Sequence, residues 1–308
     1  QRQMCIRDSS KLIQKHGGLH EFMKWKKGIF TDSGGFQAGS KDFLVGISDK
    51  GIKFRNPYGG KAELLMPETA KLIQEELGSD VAMALDDMPN PTAPFEKVKQ
   101  SVIRTNEWAE RFIKAKIDKK QLIFGISQGG IYKELREFSA KSINSMDFDG
   151  LAIGGLAIGE TKRQMFAALS ATIAHYGKNK PRYLMGLGSP EDILVAVEQG
   201  VDCFDSILPT QNARRATLMT FNGTVHYKTS KYSKDFSPIE EDCDCYACKN
   251  FTKAYVCHLL KTYENFGLTL ATIHNIRFMQ RLMEKIRAAI RAGDYPAFRK
   301  EFIKNYKA

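Results

Sequence analysis

No apolar run in this 308-residue chain approaches the ~20 residues that a membrane span needs. No secretory signal opens it either, since residues 1–10 are largely polar and charged. We therefore expect a cytoplasmic protein that does not enter a membrane. Cysteine is scarce, with six in the whole chain, and three of them, Cys243, Cys245 and Cys248, fall within six residues. That clustering argues against a disulfide framework and for metal ligation in a reducing compartment. Acidic residues fall short of basic ones, 35 against 46, for a net charge of +11. Such a balance is compatible with a polyanion partner, although many basic proteins bind none. With 43% hydrophobic and 26% charged residues, the remainder suits a globular body of one large domain or two.

Residues 1–10 show no clear pattern and do not open with Met, so we read them as a remnant outside the fold. Residues 11–237 are expected to form the catalytic body, and residues 238–308 a metal-binding subdomain with C-terminal helices. Short apolar strands are expected at 28–32, 80–87, 121–126, 150–153, 182–185 and 203–205. Helices are expected at 12–25 (broken at Gly17-Gly18), 67–77, 95–117, 132–145, 160–176 and 190–199. Residues 43–54 and 216–227 read as hairpins. Strands that do not alternate in polarity, separated by helices, imply a parallel sheet buried on both faces. Asp32, Asp86, Gln128, Gly154-Gly155, Gly186 to Gly188 and Asp205 each follow a strand's C-terminal end. In a (β/α)8 TIM barrel those ends form one rim where active sites sit. An open doubly wound sheet would place its site at a similar edge. The six strands are two short of a closed barrel.

Three stretches carry chemistry. In the first, the strand Cys203-Phe204 ends on Asp205, Pro209 halts regular structure, and Gln211-Asn212 and Arg214-Arg215 follow. A carboxylate at a strand's mouth beside cations suits attack on a sugar carbon close to a phosphate backbone. The plainer reading is a helix-capping aspartate and a solvated loop. In the second, Ser33-Gly34-Gly35-Phe36-Gln37, the glycines let backbone approach a ligand and Phe36 could stack on a planar base. The plainer reading is a glycine turn. In the third, Cys243-x-Cys245-x-x-Cys248 supplies three soft ligands. One imidazole would complete a closed, structural tetrahedral zinc shell. His274 is the leading fourth ligand, with Cys257 and His258 as rivals. The rivals lie in an apolar helical run, where a buried thiol is the plainer role for Cys257. Residues 276–292 read as a solvated charged helix rather than a dedicated RNA face.

Taken together, six segments resemble one family. They are Thr31-Asp32-Ser33-Gly34-Gly35-Phe36-Gln37, Phe124-Gly125-Ile126-Ser127-Gln128-Gly129-Gly130, Gly154-Gly155-Leu156-Ala157-Ile158-Gly159-Glu160, Met185-Gly186-Leu187-Gly188, Phe204-Asp205-Ser206-Ile207-Leu208-Pro209-Thr210, and the Cys243/Cys245/Cys248/His274 set. From about Leu12 onward the chain is similar to the bacterial-type queuine tRNA-ribosyltransferases, or tRNA-guanine transglycosylases. The resemblance implies a (β/α)8 barrel with a zinc-bearing subdomain, holding one structural Zn2+ per chain. It implies exchange of guanine at the wobble position of a tRNA anticodon loop for a 7-deazaguanine, in queuosine biosynthesis. Bacterial members insert 7-aminomethyl-7-deazaguanine. Homodimers are usual.

By the same resemblance Asp205 is the nucleophile on the ribose anomeric carbon, forming a covalent RNA–enzyme intermediate as a retaining glycosidase does. Asp32 is the second carboxylate, a general acid/base. Asp86 and Gln128 bond the edge of a base taken out of its stack. Asp32, Ser33, Gly34, Gly35 and Phe36 form the loop against the base, and Gly155 and Leu156 offer it backbone groups. Gly186, Leu187, Gly188, Ser189, Pro190, Glu191 and Asp192, with Thr210, Gln211, Asn212, Ala213 and Arg214, match RNA-contacting loops. Three departures stand out. The family's first two barrel strands have no counterpart. Gln211 replaces an arginine and so removes a cation beside the nucleophile, a loss Arg214 or Arg215 could offset. Met88 replaces a small residue and could narrow the base pocket. The main alternative is a catalytically silent fragment or paralogue that binds RNA or a partner subunit. A weaker one, an unrelated glycoside-cleaving barrel, leaves the zinc cluster and the glycines unexplained.

Overall fold

The computed structural model describes residues 10–40, 42–56, 60–115 and 120–306. The remnant expected over residues 1–10 lies outside them except for Ser10, which begins the helix Ser10–Lys15 and donates to Glu76 at 2.5 Å. The described residues form two compact units, one within 10–185 with 199–203, the other 186–198 with 204–306. The boundary expected at residue 237 falls inside the second.

The first unit is built on a parallel sheet curled as a half-barrel. Its strands are β1 (Phe30–Thr31), β5 (Val81–Met83), β6 (Leu122–Ser127), β7 (Gly150–Ile153) and β8 (Arg182–Leu184); β9 (Cys203–Phe204), of which only Cys203 belongs to this unit, is last in the order. Phe30 pairs with Val81, Val81 with Leu122, Phe124 with Gly150 and Ile153 with Leu184. All residues of β5, β7 and β8 are buried. Helices cover one face, and Val81, Met83, Phe124, Ile126, Ala152 and Tyr183 pack together on the other. Burial on both faces is why these strands read as unbroken apolar runs. Helix Pro67–Leu77 starts on its proline and ends at Gly78 with φ 66°, as expected. Helix Lys162–Ile173 is shorter than the expected 160–176, because a capping box between Thr161 and Gln164 sets its start.

The hairpin expected at 43–54 is one part of a three-stranded antiparallel sheet, β2 (Leu44–Ser48), β3 (Gly51–Arg55) and β4 (Ala62–Leu65). Ile52, Phe54 and Leu65 pack with Trp108, whose Nε1 donates to Asp49 O at 2.8 Å. No helix among the described residues is long and apolar enough to cross a membrane.

The second unit gathers around the helix Asn265–Arg291, which starts well before the expected residue 276. The hairpin β10 (Thr217–Thr220) and β11 (Gly223–His226) forms as expected, with Thr220 opposite Gly223. One expectation is corrected here. Pro209 does not halt regular structure; it sits in the first turn of the helix Leu208–Arg214. A proline there forfeits no intrahelical bond, because the first N–H groups of a helix have no partner.

Candidate active site and metal centre

In the first unit, the residues after β5, β6 and β7 form a polar cluster. Gln128, fully buried, donates from Nε2 to Asp86 Oδ2 at 2.6 Å, and Ser139 Oγ accepts from Gln128 N at 3.0 Å. Burial, and secondly the nearby Asp32 carboxylate, push Asp86 from 3.8 up to about 7. Gln128 Oε1 is buried without a hydrogen-bond partner among the described residues. A Cβ on Gly154 would stand 2.5 Å from Gln128 Nε2 and 3.4 Å from Asp86 Oδ2. One on Gly155, which has φ +66°, would overlap Gln128 Oε1 and lie 3.5 Å from Met88 Cγ. Both glycines therefore let the backbone approach Gln128 more closely than any side chain would allow.

The other sequence candidates of this unit border the same loops. Asp32 Oδ1 accepts from Ser33 N at 2.9 Å, and Ser33 Oγ accepts from Gly35 N at 3.2 Å. A Cβ on Gly35 would lie 3.2 Å from Asp86 O. Gly34 is left-handed, with φ 84°, and caps the short helix Gly35–Ala38. Phe36 is 55% exposed, whereas the Leu156 side chain is buried, leaving its backbone as the group it could offer. Asp87, adjacent to Asp86, is tied instead to the helix Phe95–Lys114. Arg104 NH1 reaches its Oδ2 at 2.5 Å, Thr105 Oγ1 accepts from its N–H at 3.0 Å, and Ser101 donates to its carbonyl.

Two residues whose roles the sequence reading passed over hold the loop backbone beside this cluster. Glu160 accepts from Ala157 N at 2.6 Å and Ile158 N at 3.2 Å, closing the loop through a left-handed Ala157. Arg136 is fully buried and bonds the carbonyls of Gly130, Gly154 and Gly155. The available signal was an arginine on the helix face that also carries Ser139, Ala140 and Ile143, all buried.

In the second unit, Asp205 is exposed and its Oδ1 accepts from Gly186 N at 2.7 Å. Gly188 packs against Ser206, leaving no room for a Cβ, and Ser206 Oγ accepts from Leu208 N at 3.1 Å. Of the RNA candidates, Leu187, Gly188, Pro190, Asp192 and Ala213 are buried and shape the loops. Gly186 and Arg214 are exposed, and Ser189, Glu191, Thr210, Gln211 and Asn212 are partly so. Asp32 and Asp86 thus share the first unit, while Asp205 belongs to the second.

The second unit also assembles Cys243, Cys245, Cys248 and His274, all buried, with ligand atoms within 4.8 Å of one another. His274 Nδ1 lies 3.8, 3.8 and 3.3 Å from the three sulfurs. A tetrahedral zinc with ordinary Zn–S and Zn–N lengths puts sulfur and nitrogen about 3.6 Å apart, so the four donors fit that ion. The other imidazole nitrogen, Nε2, faces Met219 O at 2.9 Å, which orients the ring as a metal-ligating histidine requires. The rivals drop out: Cys257 Sγ donates to Thr229 O at 3.5 Å, and His258 is exposed. Next to His274, the buried Asn275 donates to Pro209 O and Thr217 O at 3.0 Å each and accepts from Met219 N at 2.9 Å. The Cys243/Cys245/Cys248/His274 cluster is thereby linked to the helix that follows Asp205.

Comparison with known proteins gives the family. Residues 2–308 match the family described as Queuine tRNA-ribosyltransferase. Proteins of that name from Bacillus pumilus and Streptococcus thermophilus are each 47% identical over 304 residues, which is 98% of this chain and 80% of the relative. One from Bacillus subtilis is 46% identical over the same shares.

Proposed function

We infer the reaction from one premise: the chain belongs to the queuine tRNA-ribosyltransferase family. It is a pentosyltransferase that acts on tRNA as a tRNA-guanine transglycosylase. The exchanged base is the guanine at the anticodon wobble position, and the incoming base is 7-aminomethyl-7-deazaguanine. The Asp205 carboxylate attacks C1′ of the ribose and the C1′–N9 bond breaks. The bonding pair leaves on guanine, which takes up a proton from Asp32. The incoming base then gives its N9 proton to Asp32 and attacks C1′, and Asp205 departs as a carboxylate. Two inversions at one carbon return the original configuration. The nucleotide must leave its stack to be read. Asp86 accepts from the ring N–H and exocyclic amine, Gln128 and the Gly155 and Leu156 backbone take the opposite side, and Phe36 covers the face. The loops 186–192 and 210–214 hold the RNA backbone. One structural zinc per chain, a homodimer and a cytoplasmic location complete the reading.

The observation that carries this reading is the Asp86–Gln128 pair, a carboxylate and an amide that suit the edge of a guanine, with the Gly154 and Gly155 backbone close against Gln128. Incubation of the protein with tRNA and radiolabelled guanine tests it. Label should enter the tRNA and be chased out by 7-aminomethyl-7-deazaguanine. Tight tRNA binding with no label incorporated would instead mark an RNA-binding module.

Asp86 also makes a pH prediction. Its folded value of about 7 lies above the ordinary 3.8. Its contribution to stability is therefore full below about pH 4 and is lost as pH rises through about 7. Asp86→Asn escapes that loss. Relative to wild type it should gain on the order of 1–2 kcal/mol between about pH 4 and pH 8, a figure discounted for partial exposure. Guanine affinity should fall at least about tenfold, because one acceptor pair becomes an acceptor and a donor. Urea unfolding at the two pH values decides: a difference that does not change with pH rules out the buried carboxyl as its source.

A further inference from the structure

The glycine loop after β7 is held from behind by a cation that the reaction above does not use. Arg136, on the helix Lys133–Ser145, donates from Nε to Gly130 O at 2.7 Å, from NH1 to Gly154 O at 2.8 Å and from NH2 to Gly155 O at 3.1 Å. The residue is fully buried, and its hydrogen-bond partners are neutral carbonyls. Burial pulls it down to about 10, which still leaves it charged at neutral pH. A buried charge without a bonded counter-ion is costly to keep, so its placement calls for a reason beyond filling space.

Peptide geometry supplies one. Among the described residues no peptide bond is cis, and in a trans peptide the C=O and the following N–H point in opposite directions. Holding Gly154 O and Gly155 O therefore turns the N–H groups of Gly155 and Leu156 away from Arg136. Gln128 lies beside Gly155, its Oε1 so close that no Cβ could fit. Neither N–H donates to another group among the described residues. The next two, on Ala157 and Ile158, are taken by Glu160. A run of four amides is thus divided, two satisfied by a carboxylate and two left open side by side. Successive open N–H groups of this kind form an anion-binding concavity.

We propose that Arg136 is a positioning residue for the base exchange. Its fork presents the Gly155 and Leu156 N–H groups as a paired donor to the oxygen-bearing edge of the bound purine. Its charge, acting through those two peptides, steadies the negative charge that the purine carries as the C1′–N9 bond breaks. The inference rests on the transglycosylase reading above, and it adds an electrostatic role for a side chain that never touches the base.

Arg136→Met keeps the length of the side chain and loses fork and charge; Arg136→Lys keeps the charge and loses the fork. For Arg136→Met we expect the KM for guanine to rise about tenfold and kcat to fall about a hundredfold, with tRNA affinity unchanged. Arg136→Lys should recover part of kcat but not KM. A purely structural role would instead lower the melting temperature and tRNA binding together, without this split. A folded Arg136→Met protein with KM and kcat both within twofold of wild type overturns the proposal. Amide exchange in the wild-type protein gives a check that needs no variant. The Gly155 and Leu156 amides should exchange fast alone and become protected with guanine, and amides protected without base, or open with it, also overturn the proposal. If the wild-type protein binds guanine but transfers none, the reaction falls, while the guanine affinity of the variants still decides the role of Arg136.

Discussion

Asp205→Asn should yield a protein that binds tRNA as the wild type does and exchanges no measurable guanine. The amide is nearly isosteric and keeps an oxygen for the Gly186 N–H that Asp205 Oδ1 now accepts at 2.7 Å. The loop is therefore retained while the nucleophile is lost, since an amide oxygen is a poor nucleophile toward a sugar carbon. We expect at least a ~10³-fold fall in kcat, with KM for tRNA changed by no more than about twofold, the signature of a group that acts in the transition state. Asp205→Ala should show the same catalytic loss. A denaturing gel of wild-type protein with tRNA should carry a shifted covalent band, and the Asn variant none. Exchange retained within tenfold of wild type would remove Asp205 from the nucleophile's role and leave the bond-breaking step without an agent.

Loss of the metal should be the most damaging change to stability. Cys243, Cys245 and Cys248 are part of one core with Ala213, Leu218, Tyr227 and Leu270, so the ion would sit inside the packing of the second unit. Three thiols and an imidazole drawn this close repel or leave buried polar groups unpaired unless a cation holds them. Cys248→Ala should cost roughly 3–5 kcal/mol and abolish stoichiometric zinc, which metal analysis would report as one ion per chain in the wild type. Activity should fall with stability. His274 bonds Met219 O, and Asn275 bonds Pro209 O in the helix that follows Asp205, so release of His274 should loosen the segment next to Asp205. Chelation by a strong zinc ligand should produce the same loss, reversed by added zinc. A Cys248→Ala protein that stays folded, active and metal-free would exclude the ion as a structural element.

Much of this protein was legible in contiguous residues, because the physics there is local. Apolar runs without alternation announce strands covered on both faces, as β5, β7 and β8 are. Pro67 and Gly78 bracket their helix through fixed φ and left-handed freedom. Three cysteines in six residues have the spacing of metal ligands before anything else of the fold is known. The sequence motifs also named the family, and its match over residues 2–308 bears that out.

Choices among distant partners waited for the tertiary structure. His274, Cys257 and His258 were all chemically eligible to complete the metal shell; packing turned His274 Nδ1 to the sulfurs and gave the Cys257 thiol to Thr229 O. Asp86 and Asp87 are neighbours of the same type, yet one meets Gln128 and the other Arg104. Pro209 opens a helix because Leu208–Arg214 packs on the long helix Asn265–Arg291, a contact no window of sequence contains. Arg136 shows the limit most clearly, since a charged residue in a helix reads as solvated until three glycine carbonyls are brought to it. Sequence periodicity and chelate spacing specify which elements form. Which of several equivalent side chains faces which partner depends on burial and on bonds between residues far apart in the chain, and these exist only once the elements have packed.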